Sequence, residues 1–157
     1  MKIISGGQTG ADRGGLDAAI ELDVAHGGWA PKGRKAEDGQ VPEVYQLDEC
    51  SRGGYPYRTR LNVYEADCTL IFTHGKPMSG SRLTVDCCIQ YGRTYMTIDL
   101  DKVVDDRIID LIVRMVKHGD FEIINVAGSR ESKAPGIQQQ VKEIMIKVLK
   151  RLECPAS

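Results

Sequence analysis

The stretch Ser5-Gly6-Gly7-Gln8-Thr9-Gly10-Ala11-Asp12-Arg13-Gly14-Gly15 decides how the chain is read. It follows a short apolar run, Lys2 to Ser5, that reads as a strand, and it opens a helical pattern from Ala11 to Leu22. Glycines at such a junction let the chain turn tightly and let backbone N–H groups come close to a ligand. The first turn of a helix has free N–H groups and the positive end of the helix dipole, so it attracts anions. The segment predicts a site for a phosphorylated compound or another oxyanion at the start of the chain.

Outward from this loop, apolar runs alternate with helical patterns. A second strand is expected near Ala25–Ala30, a third at Cys68–Thr73, a fourth at Thr94–Ile98 and a fifth at Phe121–Ala127. Helices are expected over Tyr57–Ala66, Arg82–Tyr91 and Asp105–His118, the last with Ile108, Ile112, Met115 and Val116 on one face. A final helix begins near Pro135, a good first-turn residue, with Pro155 beyond its end. Its stripe of Ile137, Val141, Ile144, Val148 and Leu152 is broad enough to suggest self-association. Alternation of this kind predicts a Rossmann-like three-layer α/β/α fold with a mainly parallel sheet in one domain. Ligands in such sheets bind beyond the carboxyl ends of the strands, where strand order reverses. The stretch Pro31–Tyr57 breaks the rhythm with glycines, prolines and charges, and is expected to lie over the sheet edge or the site as a lid.

Composition narrows the function classes. The 157 residues carry a formal net charge of −1, so no global charge favours nucleic acid. No apolar run reaches membrane-spanning length, and no signal-peptide pattern opens the chain, so a cytoplasmic protein is expected. The five cysteines lack CxxC spacing and fit free thiols. His26, His74 and His118 are scattered and pair with no cysteine at ligand spacing, so no metal site made of protein ligands is expected. No catalytic constellation of Ser, His and Asp can be nominated.

Three Gly/Ser-rich turns follow the first, third and fifth strands and can converge on one site. The first lacks the Gly-x-Gly-x-x-Gly order and is not a Walker A loop. The second strand ends Trp29-Ala30-Pro31-Lys32, with no acid to hold a ribose, which disfavours ordinary NAD binding. In the first turn Gly7 to Ala11 would supply N–H groups. Asp12 either complements the helix dipole or holds a ligand hydroxyl or hydrated cation. Arg13, against the dipole, suggests an anionic ligand or a carboxylate partner. In the second turn Ser79, Gly80, Ser81 and Thr84 offer a cradle, or simply a capped helix start. In the third, Ala127, Gly128, Ser129, Arg130 and Glu131 offer N–H groups and a guanidinium, with Glu131 or Asn125 orienting it. Lys32 and Arg34 read either as a solvated basic turn or as a phosphate clamp that closes over the ligand. Arg52, Arg58 and Arg60 flank Tyr55 and Tyr57, an arrangement suited to stacking on a flat heterocycle or to surface packing.

Gly6-Gly7-Gln8-Thr9-Gly10-Ala11-Asp12-Arg13, Gly28-Trp29-Ala30-Pro31-Lys32-Gly33-Arg34 and Asn125-Val126-Ala127-Gly128-Ser129-Arg130-Glu131-Ser132 resemble the molybdenum cofactor carrier proteins. The resemblance spans nearly the whole chain in order. It implies a Rossmann-like fold related to the lysine-decarboxylase-like and phosphoribohydrolase group. It also implies a cytoplasmic homo-oligomer that binds the molybdenum cofactor, a phosphorylated pterin (molybdopterin), or molybdate, and passes cofactor to molybdoenzymes. Two positions depart from the family pattern. Ser79-Gly80-Ser81 stands where a Gly-Gly-Thr-like turn is expected, and Ser129 where proline is usual. The rival reading is a nucleotide phosphoribohydrolase or nucleotide sensor. Those hydrolases carry Pro-Gly-Gly-x-Gly-Thr-x-x-Glu with a catalytic glutamate; here the matching turn ends at Asp86, shorter and shifted.

Overall fold

The apolar run Cys68–Thr73 is buried along its whole length, which places it inside a sheet covered on both faces. The structure, a computed structural model, describes residues 1–102 and 105–154; Pro155 lies outside them. In chain order the strands are β1 (Lys2–Ile4), β2 (Ala25–Gly27), β3 (Trp29–Ala30), β4 (Lys35–Ala36), β5 (Gly39–Gln40), β6 (Asp48–Glu49), β7 (Cys68–Thr73), β8 (Thr94–Asp99) and β9 (Ile123–Gly128). The helices are α1 (Ala11–Glu21), α2 (Tyr55–Glu65), α3 (Gly80–Tyr91), α4 (Asp106–Gly119) and α5 (Ile137–Glu153).

Five strands form one sheet in the order β2-β1-β9-β7-β8, and every pairing in it is parallel. Helices α1, α4 and α5 pack together on one face, and α2 with α3 on the other. Period-two alternation divides the layers. Cys68, Leu70 and Phe72 of β7 join the core under α1, α4 and α5, while Val63, Cys87 and Cys88 form a smaller core between α2 and α3. Counted from β9, the order reads 3-2-1-4-5, the doubly wound order with its last strand moved to the front. The switch point, where helices change face, therefore lies between β9 and β7. Long-range pairing brings these two strands together although 49 residues separate their ends and starts.

Three expectations need correction. The second strand breaks at Gly28, whose φ of 113° turns the chain out of the main sheet. Trp29–Ala30 pairs instead with Asp48–Glu49. The Pro31–Tyr57 segment is not a structureless lid. It contains a short 3₁₀ turn and three two-residue strands, and Ala36, Val41, Tyr45 and Leu47 bury themselves against Leu16 and Ala30. The last helix begins at Ile137 with Gly136 as N-cap, and its apolar face is spent on the core, so that face gives no argument for self-association. No helix of the described residues is long and apolar enough to cross a membrane. All five cysteines are free, four of them buried.

The tightest backbone approach is at the end of β9. A Cβ on Gly128, at φ 148°, would stand 1.8 Å from the Phe72 carbonyl oxygen. Gly33 also has positive φ (76°) but faces open space. Gly128→Ala is expected to cost more than about 3 kcal/mol in urea unfolding, because backbone must shift. Gly33→Ala should cost only about 1–2 kcal/mol, the left-handed penalty alone.

Candidate functional site

The turns after β1, β7 and β9 meet at the carboxyl end of the sheet around a cavity of about 730 Å³. That lies within the size range of ligand pockets, roughly 300–1,000 Å³. Gly6, Gln8 and Asp12 line it from the first turn, Ser79, Gly80, Ser81 and Thr84 from the second, and Ala127 to Arg130 from the third. The three turns do converge. The chemistry of each is different from the simple expectation.

The start of α1 is occupied by the chain's own carboxylate. Asp12 Oδ2 accepts from the Gln8 N–H at 3.2 Å and from Arg58 Nη1 at 3.0 Å. Burial pushes the Asp12 carboxyl above its ordinary range, with Arg58 working against the shift. Arg58 lies across Gly6 so closely that a Cβ there would be 1.7 Å from Nη1. The absence of a side chain at position 6 is what admits this arginine.

Arg13, read as meeting either an anionic ligand or a carboxylate partner, has the carboxylate. It makes a forked pair with Asp38 at 2.6 and 2.8 Å and donates from Nε to the Gly7 carbonyl. The hydrogen bond to Arg13 holds the Asp38 carboxyl below its usual range. The Thr9 hydroxyl donates to Glu37 and accepts from the Glu131 N–H. Glu131 in turn accepts from the Gly136 and Gln138 N–H groups and caps α5. Arg34 reaches four backbone carbonyls, of Val41, Pro42, Tyr45 and Leu47, at 2.8–3.2 Å. It staples the 31–57 segment, and neither it nor Lys32 lines the cavity. Gly7, Gly10 and Ala11 also stay out of the lining; the Ala11 N–H is taken by the Ser129 carbonyl at 3.0 Å.

At the start of α3, as at that of α1, no side chain caps the helix among the described residues. The α3 N-cap, Ser79, adopts φ 48° and ψ −118°, a positive-φ conformation that glycine takes freely and that costs a non-glycine residue on the order of 1–3 kcal/mol. Serine thus takes the backbone shape that the glycine expected at this position would take without strain. Ser81 bonds back to Met78 through both its oxygen and its N–H, which shapes the turn. The other departure, Ser129, also has a physical reason: its N–H donates to the Phe72 carbonyl at 2.9 Å, a bond proline could not make.

Four cations share the cavity with this helix end. Arg58, Lys76, Arg130 and Lys133 line the cavity against one carboxylate, Asp12, which is already paired. Lys76 and Lys133 make no ion pair among the described residues, and Arg130 only a long one with Glu37 at 3.8 Å. Glu37 itself sits below its usual range: burial works against its charge, but hydrogen bonds from Ser132 and Thr9 outweigh it. Tyr55, Pro56, Met78 and Leu83 give the cavity apolar walls, and both Arg58 and Arg130 stand 5.5 Å from the Tyr55 ring centroid. Lys133, Thr59, Asn62 and His74 also line it and were not nominated from sequence. Thr59 and Asn62 come from α2, His74 opens the turn directly after β7, and Lys133 lies past the third turn. Among the described residues no cluster of three or more potential metal ligands occurs.

The geometry separates structural from ligand-facing arginines. Arg34→Ala should lower stability by roughly 1–3 kcal/mol in urea unfolding, while anion affinity changes less than about twofold, since the residue is remote from the cavity.

Comparison with known proteins agrees with this architecture. No curated protein matches the chain. A crystal structure of a protein from Syntrophus aciditrophicus SB named "Putative molybdenum carrier protein" superposes with a TM-score of 0.88 at 42% identity, over 98% of this chain and 94% of that one. The model of the circularly permutated YpsA SLOG family matches residues 3–149, nearly the whole fold. A strand order that becomes doubly wound only when β9 is counted first is what such a permutation produces, and the chain belongs to the circularly permutated YpsA SLOG family.

Proposed function

We propose that this protein binds and shields a phosphorylated heterocyclic ligand, the molybdenum cofactor, as a carrier. The observation that carries the reading is the pairing of an uncapped α3 N-terminus with three weakly paired cations, Lys76, Arg130 and Lys133, in one cavity. Helix N–H groups and cations together favour a phosphate over a neutral group.

The cavity's size and walls favour an organic ligand over a bare oxyanion. About 730 Å³ is far more than a molybdate-sized particle fills, since a water occupies ~30 Å³. Tyr55, Pro56, Met78 and Leu83 offer a bare oxyanion nothing, but they suit the faces of a ring system. The residues fit a pterin phosphate: α3 and Lys76 would hold the phosphate, Arg130 and Tyr55 would flank the ring, and the metal would keep its own dithiolene sulfurs. The resident chemistry is that of holding rather than turnover. Asp86, nearest to the hydrolase glutamate, pairs with Arg82 at 3.0 Å and is half exposed, outside the cavity lining. Asp12 is locked between Arg58 and Gln8.

A carrier of this kind would hand its cargo to molybdoenzymes. For the homo-oligomer implied by the family resemblance, the exposed Tyr64 and Ile89 of the α2–α3 layer are available apolar surface.

Anaerobic titration with isolated molybdenum cofactor should give saturable binding, weakened about tenfold to hundredfold in Arg130→Ala and in Lys133→Ala. Equal affinity for molybdate alone would contradict an organic ligand. Release of adenine from AMP would contradict a carrier and favour the hydrolase reading.

A further inference from the structure

Arg130 lines the cavity, yet its guanidinium makes no hydrogen bond among the described residues; its one carboxylate, Glu37, stands at 3.8 Å. The side chain is nevertheless only 35% exposed. A long side chain with many rotamers, ordered without a hydrogen bond, needs another partner. The Tyr55 ring supplies one: the Arg130 guanidinium carbon lies 5.5 Å from its centroid. That is within the ~6 Å reach of a cation–π contact.

The same ring gathers two further cations. Arg58 stands 5.5 Å from the centroid and Lys35 Nζ 5.8 Å. The three come from different elements: Arg58 from α2, Lys35 from β4 and Arg130 from the turn after β9. Tyr55 is the first residue of α2 and is half-buried. Its hydroxyl makes no hydrogen bond among the described residues, whereas that of Tyr45 donates to Asp17 at 2.6 Å. The part of Tyr55 in use is the ring.

How an arginine is held decides what it can still bind. Arg13 and Arg34 are held through their N–H donors, by Asp38 and by backbone carbonyls. An aromatic ring attracts a guanidinium through its π-electrons and uses none of those donors. They stay available for a bidentate phosphate. We propose that Tyr55 is a positioning residue: its ring holds Arg130 in the cavity with the N–H donors left for the ligand's phosphate. This rests on the anion-site reading above and deepens it. It differs from stacking on the ligand's heterocycle, because it bears on a phosphate that carries no ring.

The test uses ribose 5-phosphate, which carries the phosphate without a heterocycle, and GMP, which adds one. Calorimetric titration compares the wild type with Tyr55→Phe, Tyr55→Leu, Arg130→Ala and the double variant Tyr55→Leu/Arg130→Ala. Tyr55→Phe keeps the ring and should bind ribose 5-phosphate within about twofold of wild type. Tyr55→Leu keeps bulk and helix propensity but loses the π-face, so its affinity should fall about three- to tenfold. In the Arg130→Ala background the same change should matter less than about twofold, since the two residues act as one unit. Tyr55→Met replaces the leucine variant if urea unfolding shows the latter to be unfolded.

A Tyr55→Leu protein with wild-type affinity for ribose 5-phosphate overturns the proposal; if it loses GMP alone, the ring stacks on the base instead. A Tyr55→Phe protein as weak as Tyr55→Leu also overturns it, because the hydroxyl then carries the effect. So does an equal loss in the Arg130→Ala background, which means that Tyr55 does not act through Arg130. A wild type that binds neither ligand, or an Arg130→Ala protein that binds as tightly as wild type, overturns the anion site itself. Failure of the parent reading is thereby distinguished from failure of this one.

Discussion

The backbone of one residue, Ser129, holds the site together. The Ser129 N–H donates to the Phe72 carbonyl on one side, and the Ser129 carbonyl accepts from the Ala11 N–H on the other. The turn after β9 is thereby stitched to the end of β7 and to the start of α1 at once. Gly128 makes the first contact possible, since any Cβ there would drive into Phe72. Gly10 permits the second; its Cβ would stand 2.4 Å from the Ser129 oxygen. Three turns remote in sequence become one rim because β9 passes between β1 and β7.

That crossing has a consequence for charge. In the doubly wound plan a helix N-terminus at the switch point is the ready anion site. Here residues at the starts of both α1 and α3 line the cavity, but the charge beside them differs. Beside the start of α1 stands a resident ion pair, Asp12 with Arg58, whose carboxylate also takes the Gln8 N–H. The start of α3 is left uncapped with lysines and Arg130 around it. The weakly paired charge of the cavity is on Lys76, Arg130 and Lys133, while the charge beside α1 is already paired.

Much of this was legible in the sequence, and the misses have a common cause. The strands and helices of the main fold follow from apolar runs and their periods, which are local. The Gly/Ser turns after β1, β7 and β9 could be nominated because backbone demands leave marks in residue type. Strand order could not, since it turns on β9 pairing with β7 and β1, 49 or more residues away in the chain. The arginines were the hardest to read. Arg13 and Arg34 look like ligand residues in sequence and are instead held by Asp38 and by four carbonyls, whereas Arg58 faces the cavity because Gly6 makes room for it. An arginine's neighbours in sequence do not reveal whether its partner is a ligand, an acid or a backbone. The segment 31–57 was misread for a related reason: Val41, Tyr45 and Leu47 are too irregularly spaced to show a period, yet they bury a small core.

The most direct measurement is an anomalous difference map at the molybdenum edge from crystals grown anaerobically with the isolated cofactor. A single strong peak inside the cavity, with the phosphate density against the N-terminus of α3 and beside Lys76, Arg130 or Lys133, is the predicted result. A phosphate seated at the start of α1 with Asp12 displaced, or a molybdenum peak outside the cavity, would contradict the assignment of the anion site to α3.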